Sequence, residues 1–216
     1  MNYLKVFIKS FCGYLIDVFF LPREEILTTN NFHSLPKAVN DNPHIFSIFY
    51  YKNAPIKKLI KLIKYKGDKK ATKQASQVMY DYLLEDISEK LEFNNYTRPI
   101  IIPIPATKHR MKEYGFNQCQ RIVQYIEKID KNNTFDFSYN NLVKIKDNLS
   151  QAHTKNRLDR LKNIKNSFAV RMPEKIQKRN ILLVDDVWTT GSTIEEARTE
   201  LLKAGAREVL AYTIAH

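Results

Sequence analysis

At 216 residues with 44% hydrophobic content, the chain is long enough for one ordinary domain with a sizeable core, and 27% charged with 12% aromatic residues excludes wholesale disorder. Five glycines and 8 prolines exclude collagen-like and linker-rich chains. The 35 Lys and Arg against 23 Asp and Glu leave a charge of +12, which suits a polyanionic partner such as phosphate, nucleic acid or an anionic surface; much of the excess is lysine in a chain also crowded with Asn, Ile and Tyr, the bias of an AT-rich genome.

Near the N-terminus Leu4, Ile8, Phe11, Leu15 and Val18 step by three or four, which predicts an amphipathic helix packed on the body; docking of that helix on a membrane surface through Lys5 and Lys9 is the alternative. Lys9 and Asp17 interrupt the apolar run and no small-residue cleavage site follows, so neither a signal peptide nor stable membrane insertion is expected. Cys12 and Cys119 are isolated thiols with no CxxC pair and no His at ligand spacing; no zinc is expected, and a reducing cytoplasm fits them. A polar loop from Asn30 to Asn42 separates this extension, residues 1–43, from one domain over 44–216.

His44 to Tyr51 reads as a strand, and Ile56, Leu59, Ile60 and Ile63 put an apolar stripe on a very basic helix running to about Lys66. Ala75, Val78, Met79, Tyr82, Leu83 and Ile87 mark a second helix. The run Ile100-Ile101-Ile102 within 98–103 is the continuous apolar type of a strand buried on both faces. Phe116, Cys119, Ile122, Val123, Ile126 and Ile129 mark a third helix; a short strand follows from Leu142 to Lys146, then a Lys- and Arg-rich stretch to about Lys165. The C-terminal unit is a βαβ crossover: strand 181–187, helix 193–204 with a capping-box pattern (Thr193 with Glu196, or Ser192 with Glu195), and strand 208–215. The fold class is therefore α/β, a mostly parallel doubly wound sheet with an N-terminal helical extension. Such sheets bind ligands at the carboxyl ends of their strands, here after Val184 and Ile102.

After Val184 the chain reads Asp185-Asp186-Val187-Trp188-Thr189-Thr190-Gly191-Ser192-Thr193. Unpaired N–H groups at a helix start favour an anion such as phosphate, Thr189, Thr190, Ser192 and Thr193 add hydroxyl donors, and Gly191 lets the backbone approach closely. Asp185 and Asp186 would repel that phosphate if they touched it, but they can accept hydrogen bonds from the vicinal hydroxyls of a sugar. The pattern asks for a sugar phosphate.

This run resembles the signature of type I phosphoribosyltransferases for 5-phosphoribosyl 1-pyrophosphate (PRPP). The resemblance implies that Asp185 and Asp186 hold the ribose hydroxyls and that Thr189, Thr190, Gly191, Ser192 and Thr193 hold the 5′-phosphate. Ile101-Ile102-Pro103-Ile104-Pro105, followed by Tyr114-Gly115-Phe116-Asn117-Gln118, is similar to the strand, pyrophosphate loop and RGFNQ segment of the ComF subfamily, as are 60–67 and the Gln151 to Phe168 landmarks. ComF-like proteins are associated with natural competence, the uptake of single-stranded DNA. By this resemblance Ala106, Thr107, Lys108 and Arg110 face the pyrophosphate, and residues 149–165 form a closing loop with Gln151, Lys155, Arg157 and Arg160 near the leaving group. Lys108, Arg157 and Arg160 are the candidates for catalysis. Prolines 103 and 105 also read simply as a rigid strand exit, and the loop cations as a solvated helix. Mg²⁺ is expected, bound mainly through PRPP, with no metal site made by the protein alone.

Three departures qualify the resemblance: only Cys12 stands where many members carry a four-cysteine zinc module, Tyr114 replaces the usual Arg, and the Gln151 to Arg160 spacing is one residue longer. Thr189 also replaces the Asp general base of purine-salvage relatives, which disfavours a purine acceptor and leaves a pre-formed amine or pyrimidine-like nucleophile open. Two readings of function follow. One is a PRPP-dependent transferase with an unidentified acceptor. The other is a non-catalytic PRPP- or nucleotide-responsive module that binds single-stranded DNA or a competence protein. Nine lysines against Asp68 between Lys52 and Lys73 would track phosphates, or simply solvate a helix. Turnover and a homodimer are left open.

Overall fold

The computed structural model describes residues 35–93, 98–146 and 166–216, so the expected N-terminal helix lies outside the described residues. Ile45–Phe49 forms β1, Ile100–Pro103 β2, Asp136–Phe137 β3, Asn180–Val187 β6 and Glu208–Ala215 β7. These make one sheet in the order β1-β7-β6-β2-β3. Every neighbouring pair is parallel. Leu142–Lys144 (β4) and Phe168–Val170 (β5) form a separate antiparallel pair. The sequence reading passed over β3 and β5, because two- and three-residue strands have too few positions to show a period.

Strand side chains alternate between faces, and the two faces receive different partners. Ile101, Leu182, Val184, Leu210 and Tyr212 pack with helices α1 (Ala54–Lys61), α2 (Lys69–Phe93) and α4 (Gln118–Ile129). Ile100, Ile102, Ile181, Leu183 and Val209 pack with α5 (Ser192–Lys203) and with Leu142 and Phe168 of the small sheet. This is the doubly wound parallel arrangement. Burial on both faces is why β2 and β6 read as unbroken apolar runs rather than alternating ones. At the outer edge, residues 35–43 turn back along β1, with Lys37 bridged to Phe49 and Ala38 N–H donating to Ile48 O at 2.9 Å. The Asn42 side chain accepts from His44 N and Ile45 N and so starts the strand. Among the described residues no helix is long and apolar enough to cross a membrane.

Three local expectations are corrected. First, the helix expected to begin at Phe116 begins at Gln118, because the Asn117 side chain accepts from Cys119 N and Gln120 N and caps it. A separate seven-residue helix, α3 (Lys108–Tyr114), precedes it with Thr107 as its cap. Second, α5 carries no capping box: Gly191, at φ 75°, is its N-cap, and no side chain caps it. The carboxylates that would have closed the box are used elsewhere, Glu196 accepting from Asn166 N and Glu195 pairing with Arg198. Third, the basic helix does not run uniformly to Lys66. After α1 the chain widens into a π-helical turn, Leu62–Lys66, closed by Gly67 at φ 57°.

That turn is pinned to the Gly-Phe-Asn-Gln segment. Arg121 stacks over Phe116 at 3.8 Å and its Nη1 donates to Gly67 O at 3.2 Å. A Cβ on Gly67 would sit 2.5 Å from Arg121 Nη1 and 2.8 Å from the Phe116 ring. Gly67→Ala is therefore expected to cost about 1–2 kcal/mol from the left-handed backbone alone, before Arg121 is displaced. Urea denaturation should show a lowered midpoint with unchanged slope; an unchanged midpoint would mean the contact holds nothing in place.

Candidate functional site

The carboxyl ends of the adjacent strands β2 and β6 open into a cavity of about 340 Å³. Ile104 N–H donates to Val184 O at 2.9 Å, carrying the pairing one step past β2 before the chain leaves the sheet. Asp185, Asp186, Thr189 and Thr193 line the cavity from the β6 side, and Ala106, Thr107 and Arg110 from the β2 side. Thr190, Gly191 and Ser192 line an adjoining niche of about 40 Å³, which Asp185, Thr189 and Thr193 also border. Two loops some 80 residues apart thus converge on one space.

Lys108 is exposed and is not among the residues that line this cavity, whereas Arg110 is. Arg157 and Arg160, with Gln151 and Lys155, lie outside the described residues. In the niche Gly191 has φ 75°, and a Cβ there would come 2.7 Å from Trp188 Nε1. The hydroxyls of Thr190 and Ser192 are 2.5 Å apart.

The acids are held from α4. Gln118 Nε2 donates to Asp186 Oδ2 and Cys119 Sγ–H to Asp185 Oδ1, each at 3.2 Å. Asp185 Oδ1 also accepts from Asp186 N, and Asp186 Oδ1 from Val187 N. Asn117 Nδ2 donates to Ile104 O at 2.9 Å, tying the same helix start to the β2 exit. Sequence reading assigned no role to Gln118 and set Cys119 aside as an isolated thiol. Its partners lie 66 residues away in the chain, so no local spacing could reveal them. Burial first, then the charges of Asp185 and Asp186, push the Cys119 thiol well up, which keeps it a protonated donor.

Cys119, Asp185 and Asp186 have their ligand atoms within 4.8 Å of one another. The two carboxylates fit a hard cation such as Mg²⁺, whereas the thiol is too soft to serve it. The donor set suits an ion that draws most of its ligands from phosphate and water. Lys144 from β4, Lys64 and Tyr65 from the π-helical turn, and Tyr51 complete the wall.

No protein-family model matches the chain. It is similar to competence protein F of Haemophilus influenzae, 34% identical over 120 residues, which is 53% of this chain and 49% of that protein. Competence protein ComFC of Streptococcus pneumoniae is 28% identical over 168 residues, 78% of this chain and 66% of that one. DNA utilization protein YhgH of Salmonella typhi is 32% identical over 113 residues, 50% and 45% of the two chains. The chain spans about half to just under two thirds of the length of these relatives. Among solved structures, it is similar to HGPRT-ase from Leishmania tarentolae in complex with GMP, with TM-score 0.34 and 8% identity over 67% of this chain and 65% of that one. A hypoxanthine phosphoribosyltransferase from Staphylococcus aureus gives TM-score 0.33 and 11% identity, over 65% and 62% of the two chains. The chain is a homologue of the ComF and ComFC competence proteins, the group its motifs resemble.

Burial, followed by the neighbouring charge of Asp186, pushes the Asp185 carboxyl up to about 7. The folded chain then keeps a proton that the unfolded chain, with a carboxyl near about 4, has released. Stability is expected to fall as pH rises from about 4 to about 7 and to level off above that window. Asp185→Asn removes the effect. Its unfolding free energy from urea titration should coincide with wild type at pH 4 and exceed it at pH 8, by on the order of 2 kcal/mol after screening of a partly exposed group. Parallel pH profiles for the two proteins would contradict the assignment.

Proposed function

We propose that the chain is a PRPP-binding, phosphoribosyltransferase-like protein of the ComF type that acts in the cytoplasm in DNA uptake. In this reading it transfers the ribose 5-phosphate group to an acceptor. The observation that carries it is the meeting of three chemistries in one cavity: the Asp185 and Asp186 pair, the hydroxyl loop from Thr189 to Thr193, and the Ala106 to Arg110 exit of β2. A sugar with a phosphate at one end and a pyrophosphate at the other asks for these three. The names of the relatives supply the competence role.

The carboxylates of Asp185 and Asp186 accept from the ribose hydroxyls, held ready by Gln118 and Cys119. Thr189, Thr190, Ser192 and Thr193 donate to the 5′-phosphate, and Gly191 leaves room for its oxygens. Arg110 faces the pyrophosphate, whose bond to ribose C1 breaks as the acceptor's nucleophile bonds to C1 through an oxocarbenium-like transition state. Charge on the departing oxygen is what the site must stabilise. Asp185 and Asp186 are the carboxylates that would reach a Mg²⁺ bound mainly through PRPP, and such an ion would add neutralisation of that charge. Thr189 stands where a carboxylate base would activate a purine nitrogen, so the acceptor brings its own nucleophile.

A second reading, a PRPP-responsive module that holds single-stranded DNA, draws on the nine lysines from Lys52 to Lys73. Lys52, Lys57, Lys66, Lys69, Lys70 and Lys73 are exposed, and Lys64 of the same stretch lines the cavity. Such a surface would release counterions on binding.

Calorimetric titration separates these readings. PRPP should bind more tightly than ribose 5-phosphate or pyrophosphate, and more tightly with Mg²⁺ than without. The double variant Asp185→Asn with Asp186→Asn should weaken PRPP at least tenfold while keeping the fold. Unchanged PRPP affinity in that variant would overturn the assignment. Binding of a single-stranded oligonucleotide that drops steeply between low and physiological salt, with no PRPP effect, would favour the second reading.

A further inference from the structure

Among the described residues three cations line the main cavity: Arg110 from α3, Lys144 from β4 and Lys64 from the π-helical turn. None of them borders the hydroxyl niche, which is made by residues of the 185–194 stretch. A ligand with one phosphate in that niche therefore meets these charges only with its other anionic end. Lys64 is half-buried, whereas the nearby Lys66 is exposed. Among the described residues Lys64 enters no ion pair. Its Nζ lies 5.9 Å from the centroid of the adjacent Tyr65 ring, a contact that leaves the charge unneutralised. A partly desolvated ammonium without a carboxylate gains most when an anion arrives.

The shape of the turn is what brings Lys64 to the cavity. Its i→i+5 bonding is wider than that of an α-helix, so successive side chains rotate less per residue, and the chain neighbours Lys64 and Tyr65 both line the cavity. Such turns are rare, and this one is braced at two points. Tyr114 packs its ring against Tyr65 at 5.7 Å between centroids, tilted 60°. Arg121, from α4, stacks on Phe116 at 3.8 Å and donates from Nη1 at 3.2 Å to the carbonyl of Gly67, the residue that closes the turn. A planar guanidinium offers a face to the ring and an edge to the carbonyl at once. Arg121 is not among the residues that line the cavity, so its influence on a ligand passes through the turn.

We infer that Lys64 is a further anion-binding residue of this cavity, taking the pyrophosphate end of the ligand, and that Arg121 is the positioning residue that aims it by gripping the π-helical turn. The inference rests on the PRPP reading and deepens it by adding a cation that neither the β2 exit nor the β6 exit supplies. Helix α4 then serves both parts of the ligand: Gln118 and Cys119 hold the acids, and Arg121 holds the turn that carries Lys64.

The two halves of PRPP test it. Wild type, Lys64→Ala, Arg121→Ala and the double variant are titrated calorimetrically with pyrophosphate and, separately, with ribose 5-phosphate, Mg²⁺ being present throughout. Lys64→Ala should weaken pyrophosphate about tenfold, the size of one charge-assisted hydrogen bond. Arg121→Ala should weaken it by a similar factor, and the double variant should be no weaker than Lys64→Ala, because both substitutions remove the same contact. Ribose 5-phosphate affinity should stay within about twofold in all four proteins, since the half that Lys64 meets is absent from it. Arg121→Met, which keeps an apolar stem against Phe116 but no donor, takes the place of Arg121→Ala if that variant does not fold, with the same result expected. Unchanged pyrophosphate affinity in Lys64→Ala or in the Arg121 variant, losses that add in the double variant, or a parallel loss of ribose 5-phosphate would each overturn the inference while the PRPP reading survives. If wild type binds neither PRPP nor either half, both fall together.

Discussion

Two adjacent carboxylates at the end of a strand buried on both faces create the constraint around which the site is organised. Among the described residues neither Asp185 nor Asp186 takes part in an ion pair. Their compensation comes instead from dipoles: the backbone N–H groups of Asp186 and Val187, the Gln118 amide and the Cys119 thiol. Dipoles orient a carboxylate without cancelling its charge, so Asp185 retains a tendency to hold a proton. A bare pair of this kind is destabilising, and under the proposed PRPP reading a diol or a cation would relieve that cost.

Meeting that constraint fixes the position of α4. Asn117 caps the helix, donates to Ile104 O and thereby sets the helix start against the β2 exit. The next two residues then reach the acids, and Ile122, Val123 and Ile126 bury the helix on the sheet and on α2. Four residues beyond the cap, Arg121 crosses back to Phe116 and Gly67 and carries the same register to the π-helical turn. One short stretch of chain therefore links Asp185 and Asp186 to the π-helical turn that carries Lys64 and Tyr65.

Charge is segregated along the same architecture. Eight of the nine lysines of 52–73 lie on α1, the π-helical turn and the start of α2, with Lys52 just before α1, whereas the β6–α5–β7 unit carries six acids against three basic residues. Lys64, Lys144 and Arg110 line the same cavity as Asp185 and Asp186, so charge of both signs meets there.

The parallel sheet and the two loops at its carboxyl ends are legible in local stretches of sequence. The apolar runs of β2 and β6 can be buried only inside such a sheet, and the acids, hydroxyls and Gly191 that follow β6 are local in the chain. Helix stripes such as Ile56, Leu59, Ile60 and Ile63 were legible for the same reason, since period is a local property. Short strands, the π-helical turn and the use of Gly191 rather than a capping box were not, because each depends on contacts made from elsewhere: Glu196 is drawn off by Asn166, and Gly67 is gripped by Arg121. The tertiary structure alone decided that Cys119 and Gln118 serve the acids, that Arg110 rather than Lys108 lines the cavity, and that Tyr65 stands in front of Tyr114. Those pairings join residues roughly 50 to 70 positions apart or depend on which side of a short helix faces inward, and only the packing of α4 and the π-helical turn against the sheet sets either.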